Sequence, residues 1–430
     1  MKCSIFWLSI LLCLFSVNSL KAQSNTMGSN SCASSTCHGG IVPWEGSNIL
    51  GNEFITWSRL DKHRNAYQLL LSDKAKSIRQ KLGLEKPAHH TASCLNCHAK
   101  NPSLNTANTF EGISCESCHG PAANWINSHK NSSHKDNIKR GMSPTNNPGF
   151  QAKLCLSCHL GKKNQFVTHR MMAAGHPRLN FELSTFTAIQ PPHFQVDQDW
   201  HQRKGEYSPT KSWAIGQVIA SQFILNSFND PEIGHDGIFP ELVLFDCHAC
   251  HRLISEKRGD PRWGMGSGRI RLNDSHFLML RAILRVLDID AFNEFNQNIS
   301  DLQTAVSADY DSESVSPQIT AKNVAESLNK YVAIINKQAF SKEQQKSIFL
   351  ALIEDASNGQ FSDPSGAEQA YMAISNLASS LSKTGVLKSI KLVNLTLSEM
   401  RQNLANDERY QSEIFALQLA NLKKTVSEEK

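Results

Sequence analysis

Apolar residues near the start of the chain form one uninterrupted region that differs from every later one. Residues 5–17 are apolar except for two serines, Lys2 precedes them, and a polar stretch follows up to Gln23. A basic start, a short apolar region and a polar end are typical of a secretory signal. The apolar region is shorter than a bilayer-spanning helix requires. Residues 1–23 are therefore predicted to be a cleavable signal peptide.

Farther along, apolar residues recur at helical spacing. Residues 57–67 and 213–225 both have this pattern, and the second reads as an amphipathic helix. Near the C-terminus, the four apolar residues at positions 386, 390, 393 and 397 form one helical stripe. Two capping boxes, Ser341 with Gln344 and Ser365 with Glu368, open further apolar-periodic segments. The pattern predicts a mainly α protein with little regular strand, interrupted by an acidic, serine-rich loop at 307–316.

Composition divides this mainly α chain into parts. Of 12 cysteines and 17 histidines in 430 residues, ten cysteines lie between Cys32 and Cys250, and the last histidine is His276. We expect a signal peptide at 1–23, a chemically active domain at 24–276, and a C-terminal helical domain, a bundle, at 277–430. The net charge of +5 is mild, and no dense basic run supports binding to nucleic acid.

The ten cysteines form five pairs, and a histidine follows the second cysteine of every pair. Four pairs have two intervening residues and one has four. We number them as motif 1 (Cys32, Cys37, His38), motif 2 (Cys94, Cys97, His98), motif 3 (Cys115, Cys118, His119), motif 4 (Cys155, Cys158, His159) and motif 5 (Cys247, Cys250, His251).

This spacing is typical of covalent haem attachment. Two thiols one turn apart can each form a thioether with a haem vinyl group, and the adjacent histidine then becomes the proximal iron ligand. The wider gap of motif 1 fits only if its loop bulges outward. A structural zinc site matches the spacing of motifs 2 and 3, and an exported protein also suggests disulfides, but neither explains the repeated histidine. We therefore predict five covalently attached c-type haems.

Each haem iron has a second axial position, for which the remaining histidines are candidates. Five stand out from their sequence surroundings: His63 in the predicted helix 57–67, two in a polar loop after motif 3, and two that are seven residues apart after motif 4 and would share one helical face. The candidate distal ligands are His63, His129, His134, His169 and His176.

The segment Gly112-Ile-Ser-Cys-Glu-Ser-Cys-His-Gly-Pro, with His129 and His134 downstream, resembles the bacterial cytochrome c-554 family of multihaem cytochromes. Trp57 with His63, and residues 175–182, are also similar to that wider group. The resemblance covers about residues 30–252. It implies a mainly helical fold around closely packed haems, a periplasmic location and electron transfer. It also implies that His63 and one of His129 and His134 are distal ligands. The type member has four haems and no counterpart of residues 277–430.

The leading functional hypothesis is a periplasmic pentahaem cytochrome c that carries electrons between redox partner proteins. The alternative is a multihaem oxidoreductase that acts on a small nitrogen or sulfur oxyanion at one open haem. No lysine replaces a motif histidine, which argues against the lysine-ligated haem of pentahaem nitrite reductases. A third hypothesis is a scaffold whose C-terminal helices dock peripherally on a membrane respiratory complex. No catalytic residue outside the haem motifs is predicted.

Overall fold

The computed structural model describes residues 25–99, 110–237, 239–251, 262–263, 269–308 and 316–427. The predicted signal peptide and most of the predicted loop 307–316 lie outside the described residues. The described chain is mainly α-helical, as the sequence predicts, and its strands form a single two-stranded antiparallel pair, β1 (His235–Asp236) with β2 (Phe239–Pro240).

The helices of the first part are short and lie close to the five motifs. They are α1 (Glu53–Leu60), α2 (Ala66–Leu69), α3 (Asp73–Lys81), α4 (Ala92–His98), α5 (Cys115–His119), α6 (His134–Lys139), α7 (Pro148–His159), α8 (His169–Ala173), α9 (Leu183–Ile189), α10 (Gln198–Lys204) and α11 (Pro209–Asn229). Short 3-10 helices cover Ser29–Cys32, Lys62–Asn65, Ala88–His90, Leu242–Leu244 and Cys247–Ala249.

The helices of the second part are longer and pack as a bundle. They are α12 (Ser275–Leu287), α13 (Ile289–Ser307), α14 (Pro317–Asn336), α15 (Lys342–Ser357), α16 (Pro364–Lys383), α17 (Ile390–Asn403) and α18 (Ser412–Ser427), with a 3-10 helix at Asp407–Arg409. Polar caps start several of them: Ser341 accepts a hydrogen bond from the backbone N–H of Gln344 in the predicted capping box, which is confirmed.

Helix α11 connects the two parts. Residues 212–221 of this helix are all buried, so the amphipathic helix predicted at 213–225 is instead covered on every side. It packs against α7, which ends on motif 4, and against α12 and α14 of the bundle. One cluster of buried apolar side chains extends from Ala152 to Leu422. It includes residues on both sides of the domain boundary predicted at 276/277, and that boundary stays a prediction.

The region of motifs 1 to 3 has little apolar core of its own. Within described residues 25–99 and 110–150, only nine apolar side chains are buried, whereas α12 alone buries seven. Leu60 and Leu69 are more than half exposed there. A region of this size needs more buried apolar surface than these side chains supply.

Three local predictions need correction. The helix expected over 57–67 stops at Asp61, whose carboxylate accepts the backbone N–H of His63 and starts a separate 3-10 turn. The capping box at Ser365 is wrong, because Asp363 caps α16 through the N–H of Gly366 and Pro364 begins the helix. The C-terminal stripe begins in a turn, since α17 starts at Ile390. None of the described helices is both long and apolar enough to cross a membrane.

Candidate functional site

Local structure presents motifs 2, 3 and 4 in the same way. Helices α4, α5 and α7 end at the histidines of motifs 2, 3 and 4. On a helix, cysteines three positions apart lie on one face, and the histidine completes the helix end. All ten cysteines of the five motifs are free thiols, so no disulfide competes for them.

Motif 1 accommodates its longer gap by a turn that projects into solvent. The backbone N–H groups of Cys37 and Gly39 both donate to the carbonyl of Ser34, at 2.9 and 2.8 Å. Residues 34–36 are exposed. The loop therefore bulges outward, as thioether formation by Cys32 and Cys37 would require.

Each motif histidine faces one histidine from a distant part of the chain. The pairs, with their ring-centroid separations, are His38 and His129 at 6.1 Å, His98 and His176 at 6.5 Å, His119 and His193 at 6.4 Å, His159 and His63 at 6.0 Å, and His251 and His169 at 6.2 Å.

These separations fit one metal ion between two imidazoles. A ligating nitrogen lies about 2.0 Å from a first-row metal and about 1.1 Å from its ring centroid, so two rings on one ion stand roughly 6.2 Å apart. The neighbouring rings of His89 and His90 are only 4.4 Å apart, which is too close for an ion between them. The five long pairs thus match the separation that two axial ligands of one iron require.

Hydrogen bonds at Nδ1 orient six of the ten rings. Carboxylates pair with two of them: Glu53 with His38 and Asp61 with His63, both at 2.9 Å. Backbone carbonyls accept from the other four, at distances from 2.5 to 3.4 Å; these rings are His98, His129, His176 and His193. Engaging Nδ1 leaves Nε2 for a metal and fixes the ring, as is usual for ligating histidines.

Electrostatics also suit metal binding. Burial lowers the pKa of His119 to about 4 and that of His159 to about 4, so both rings are neutral at pH 7, as a ligand must be. The hydrogen bond that His38 donates to the Glu53 carboxylate raises the pKa of His38. The hydrogen bond that His63 donates to the Asp61 carboxylate raises the pKa of His63. Carboxylates in this position increase the basicity of the imidazole and strengthen it as a ligand.

The structure brings four of the five candidate distal histidines opposite a motif histidine, namely His63, His129, His169 and His176. His134 is placed elsewhere: it opens α6, and its Nε2 lies 3.0 Å from Oδ1 of Asn146. His169 and His176 do not share a helical face, since α8 ends at Ala173 and Gly175 has a φ of 114°. Their rings therefore turn to different motifs.

His193 faces motif 3 and was missed in the sequence. It follows Pro191-Pro192 in an extended segment, far along the chain from His119, so no spacing connects the two. The only signal was the Pro-Pro pair, which holds the backbone extended and presents the next side chain in a fixed direction.

Contacts between thiols connect neighbouring motifs. A hydrogen bond between the Cys32 and Cys115 side chains raises the pKa of Cys32 and joins motifs 1 and 3. A second bond, between Cys97 and Cys158, raises the pKa of Cys97 and joins motifs 2 and 4. Motifs 3 and 4 meet through the electrostatic interaction of Cys118 with Cys155.

The zinc alternative needs the thiols of motifs 2 and 3 to converge. In the described parts of the chain, no three His, Cys, Asp or Glu side chains gather into a metal-binding group. Cys97 instead contacts motif 4, and Cys115 contacts motif 1. The geometry suits two axial ligands per ion at five places rather than four thiolates at one.

One comparison with known proteins found a match, to part of the chain. Residues 31–120, which contain motifs 1 to 3, match the sequence model of a family described as cytochrome c554 and c-prime. No curated protein and no solved structure matches the chain. Members of such families bind haem c covalently and transfer electrons. The chain is a c-type cytochrome that resembles the cytochrome c554 family.

Proposed function

We propose that the protein is a periplasmic pentahaem cytochrome c that relays electrons between redox partner proteins. The observation that carries the proposal is the set of five histidine pairs, each 6.0–6.5 Å between ring centroids. Every motif has such a pair, and no histidine serves twice.

In this proposal each part of a motif has one role. The two cysteines hold a haem through thioethers, the motif histidine is the proximal ligand, and the histidine that it faces is the distal ligand. The distal ligands of motifs 1 to 5 are, in that order, His129, His176, His193, His63 and His169. His193 replaces His134 in the set of distal ligands that the sequence predicts. Bound haem supplies an iron that alternates between ferric and ferrous states. The protein orients the rings, excludes water and sets the local charge.

Contacts between motifs support a continuous relay. The thiol contacts connect motif 1 to motif 3, motif 3 to motif 4, and motif 4 to motif 2. The short helix α8 carries His169 at its start, and His176 follows it, so motifs 5 and 2 share one support. The resulting order is 1–3–4–2–5. The two exposed motif cysteines, Cys37 and Cys250, belong to the terminal motifs of this row, where we expect redox partners to dock.

The oxidoreductase alternative requires an iron with an open position, which binds a small inorganic ligand. All five motif histidines have a partner ring at ligand distance, so one pair would have to separate before such a ligand could bind. The pairing therefore favours the relay. Export rests on the predicted signal peptide at 1–23, and peripheral association with a membrane respiratory complex rests on no described contact.

Haem counting tests the proposal. Purified mature protein should give five haems per chain in a pyridine haemochrome assay and take up five electrons per chain in a coulometric titration. Four haems and four electrons would exclude motif 1 or another motif as an attachment site. The relay would be contradicted if a chemical donor reduces the protein readily but the reduced protein delivers no electrons to any soluble cytochrome acceptor.

A further inference from the structure

The segment after motif 4 is in contact with the C-terminal region through Arg178. This arginine belongs to the Gly-His-Pro-Arg segment that also supplies His176. Its Nη2 lies 2.6 Å from a Glu368 carboxylate oxygen and its Nε 3.1 Å from Asp407. Its side chain is 22% exposed and that of Glu368 17%. The segment after motif 4 is therefore fastened to α16 and to the 3-10 helix before α18.

A second group of charges lies directly before the motif 5 cysteines. Asp246 precedes Cys247, and its carboxylate lies 2.8 Å from Nη2 of Arg271. The same Arg271 nitrogen is 3.4 Å from Asp363, the N-cap of α16, which also forms a buried ion pair with Arg262. Asp246 thus belongs to one ionic network with the N-terminus of α16.

Aromatic contact adds a third connection. The ring of His248, inside motif 5, meets the ring of Tyr410 edge-on, with centroids 6.4 Å apart. Tyr410 is 1% exposed, and its hydroxyl donates to the carbonyl of Phe361 at 2.6 Å. The middle of motif 5 therefore packs against a fixed aromatic side chain of the C-terminal region.

A cavity of about 70 Å³ borders Cys247 and has walls from both parts of the chain. Phe166 and Met172 form part of its apolar side, and Arg178 and His276 part of its polar side. Ser365 and Gln369 of α16 also line it. The first turns of α16 are thus a wall of the space beside the motif 5 attachment sulfur.

The charges around this sulfur are predominantly negative. Arg178, Arg262 and Arg271 face five carboxylates, those of Asp246, Asp274, Asp363, Glu368 and Asp407. Cys247 interacts electrostatically with one of these positive side chains, Arg178, and with three of the negative ones, Asp246, Asp363 and Asp407. Three positive against five negative side chains favour the ferric over the ferrous state of a nearby haem and so lower its reduction potential.

We propose that the C-terminal helical region is part of the fifth haem centre: it walls the pocket beside Cys247, and its carboxylates Asp363, Glu368 and Asp407 lower the reduction potential of that haem. The proposal rests on the proposed function, since it requires a haem at motif 5. In this proposal the C-terminal region, residues 277–430, covers the fifth haem and sets its reduction potential, in addition to forming a helical bundle.

The test is a Glu368→Gln variant of the full protein, examined by spectroelectrochemical titration at pH 8. Glutamine keeps the shape of glutamate but removes one negative charge. The positive charge of Arg178 is then balanced by one carboxylate fewer. One of the five midpoint potentials should rise and the other four stay in place. Glu354→Gln is the matched control: this α15 carboxylate lies 3.7 Å from Arg285, and Arg285, unlike Arg178, does not line the cavity beside Cys247. This control variant should leave all five midpoint potentials unchanged.

Asp407→Asn is the second variant, because the Asp407 side chain is 46% exposed and its replacement leaves no buried cavity. It should raise the same single potential. Two results would overturn this inference without affecting the proposed function. The first is a protein with five haems whose five midpoint potentials are unchanged in both variants. The second is an equal shift of all five potentials. A parent protein with fewer than five haems by pyridine haemochrome would instead contradict the pentahaem count on which it rests.

Discussion

The structure indicates His193 as a distal ligand, whereas the sequence prediction names His134 and not His193. Replacing His193 distinguishes between the two. The ring of His193 stands 6.4 Å from that of His119, between centroids, and its Nδ1 is 3.4 Å from the Pro191 carbonyl. In a His193→Ala variant, alanine removes the whole imidazole and leaves motif 3 with one axial ligand. A diatomic molecule is smaller than an imidazole and can enter the space that the ring occupied.

The expected magnitude follows from the number of motifs. One haem in five, about a fifth of the total, should change from low-spin to high-spin. After reduction the variant should bind one carbon monoxide per chain, whereas the parent should bind none. Electron paramagnetic resonance of the oxidised protein and optical titration with carbon monoxide measure these two quantities.

His134→Ala is the matched control, because it removes the same side chain from the same part of the molecule. The Nε2 of His134 is engaged by Asn146 at 3.0 Å, so this variant should keep all haems low-spin and bind no carbon monoxide. The reverse result, an open haem in His134→Ala and none in His193→Ala, would refute the pairing of His119 with His193.

Three further predictions concern stability and attachment. Asp363→Asn should lower the free energy of unfolding by about 3 kcal/mol at pH 7, because it removes the closer of the two carboxylates that pair with the buried Arg262 charge. Arg262 and Arg271 lower the pKa of Asp363 against the opposing effect of burial. The loss of stability in the variant should therefore be constant down to the pKa of an unfolded aspartate, about 4, and become smaller as the pH falls further. Urea denaturation between pH 7 and pH 3 measures the stability difference between parent and variant, and a difference that does not change with pH would contradict the ion pair. Ser341→Ala should cost about 1 kcal/mol by removing a capping box, and an unchanged urea midpoint would contradict this. Cys32→Ser should leave motif 1 with a single thioether through Cys37, detected by the mass of tryptic haem peptides, and recovery of a doubly linked peptide would exclude Cys32 as an attachment residue.

The sequence predicted the parts of the site whose chemistry is local. A pair of cysteines with a following histidine is one turn of chain, so all five motifs could be identified before the structure was considered. The Ser341 capping box was predictable for the same reason, since four consecutive residues form it. Ser365 shows the limit of such patterns, because Asp363 and Pro364 compete for the same helix start and determine it.

The distal ligands depend on contacts between distant segments, and there prediction was partial. His63, His129, His169 and His176 were identified from their surroundings, but the motif that each one faces could not be read from spacing. The position of His193, the contacts of Arg178 with Glu368 and Asp407, and the contact of His248 with Tyr410 depend on how distant segments of the chain pack. Tertiary packing alone determines them, so residues 277–430 gave no functional signal in the sequence.

The central claim is that each motif histidine shares one iron with one distal histidine. Electron paramagnetic resonance of the oxidised parent protein, with carbon monoxide and nitric oxide added after reduction, tests it most directly. We predict low-spin signals that account for five haems per chain, and no change on addition of either gas. A high-spin signal from any haem in the parent protein, together with uptake of carbon monoxide, would contradict the claim and favour an oxidoreductase with an open haem.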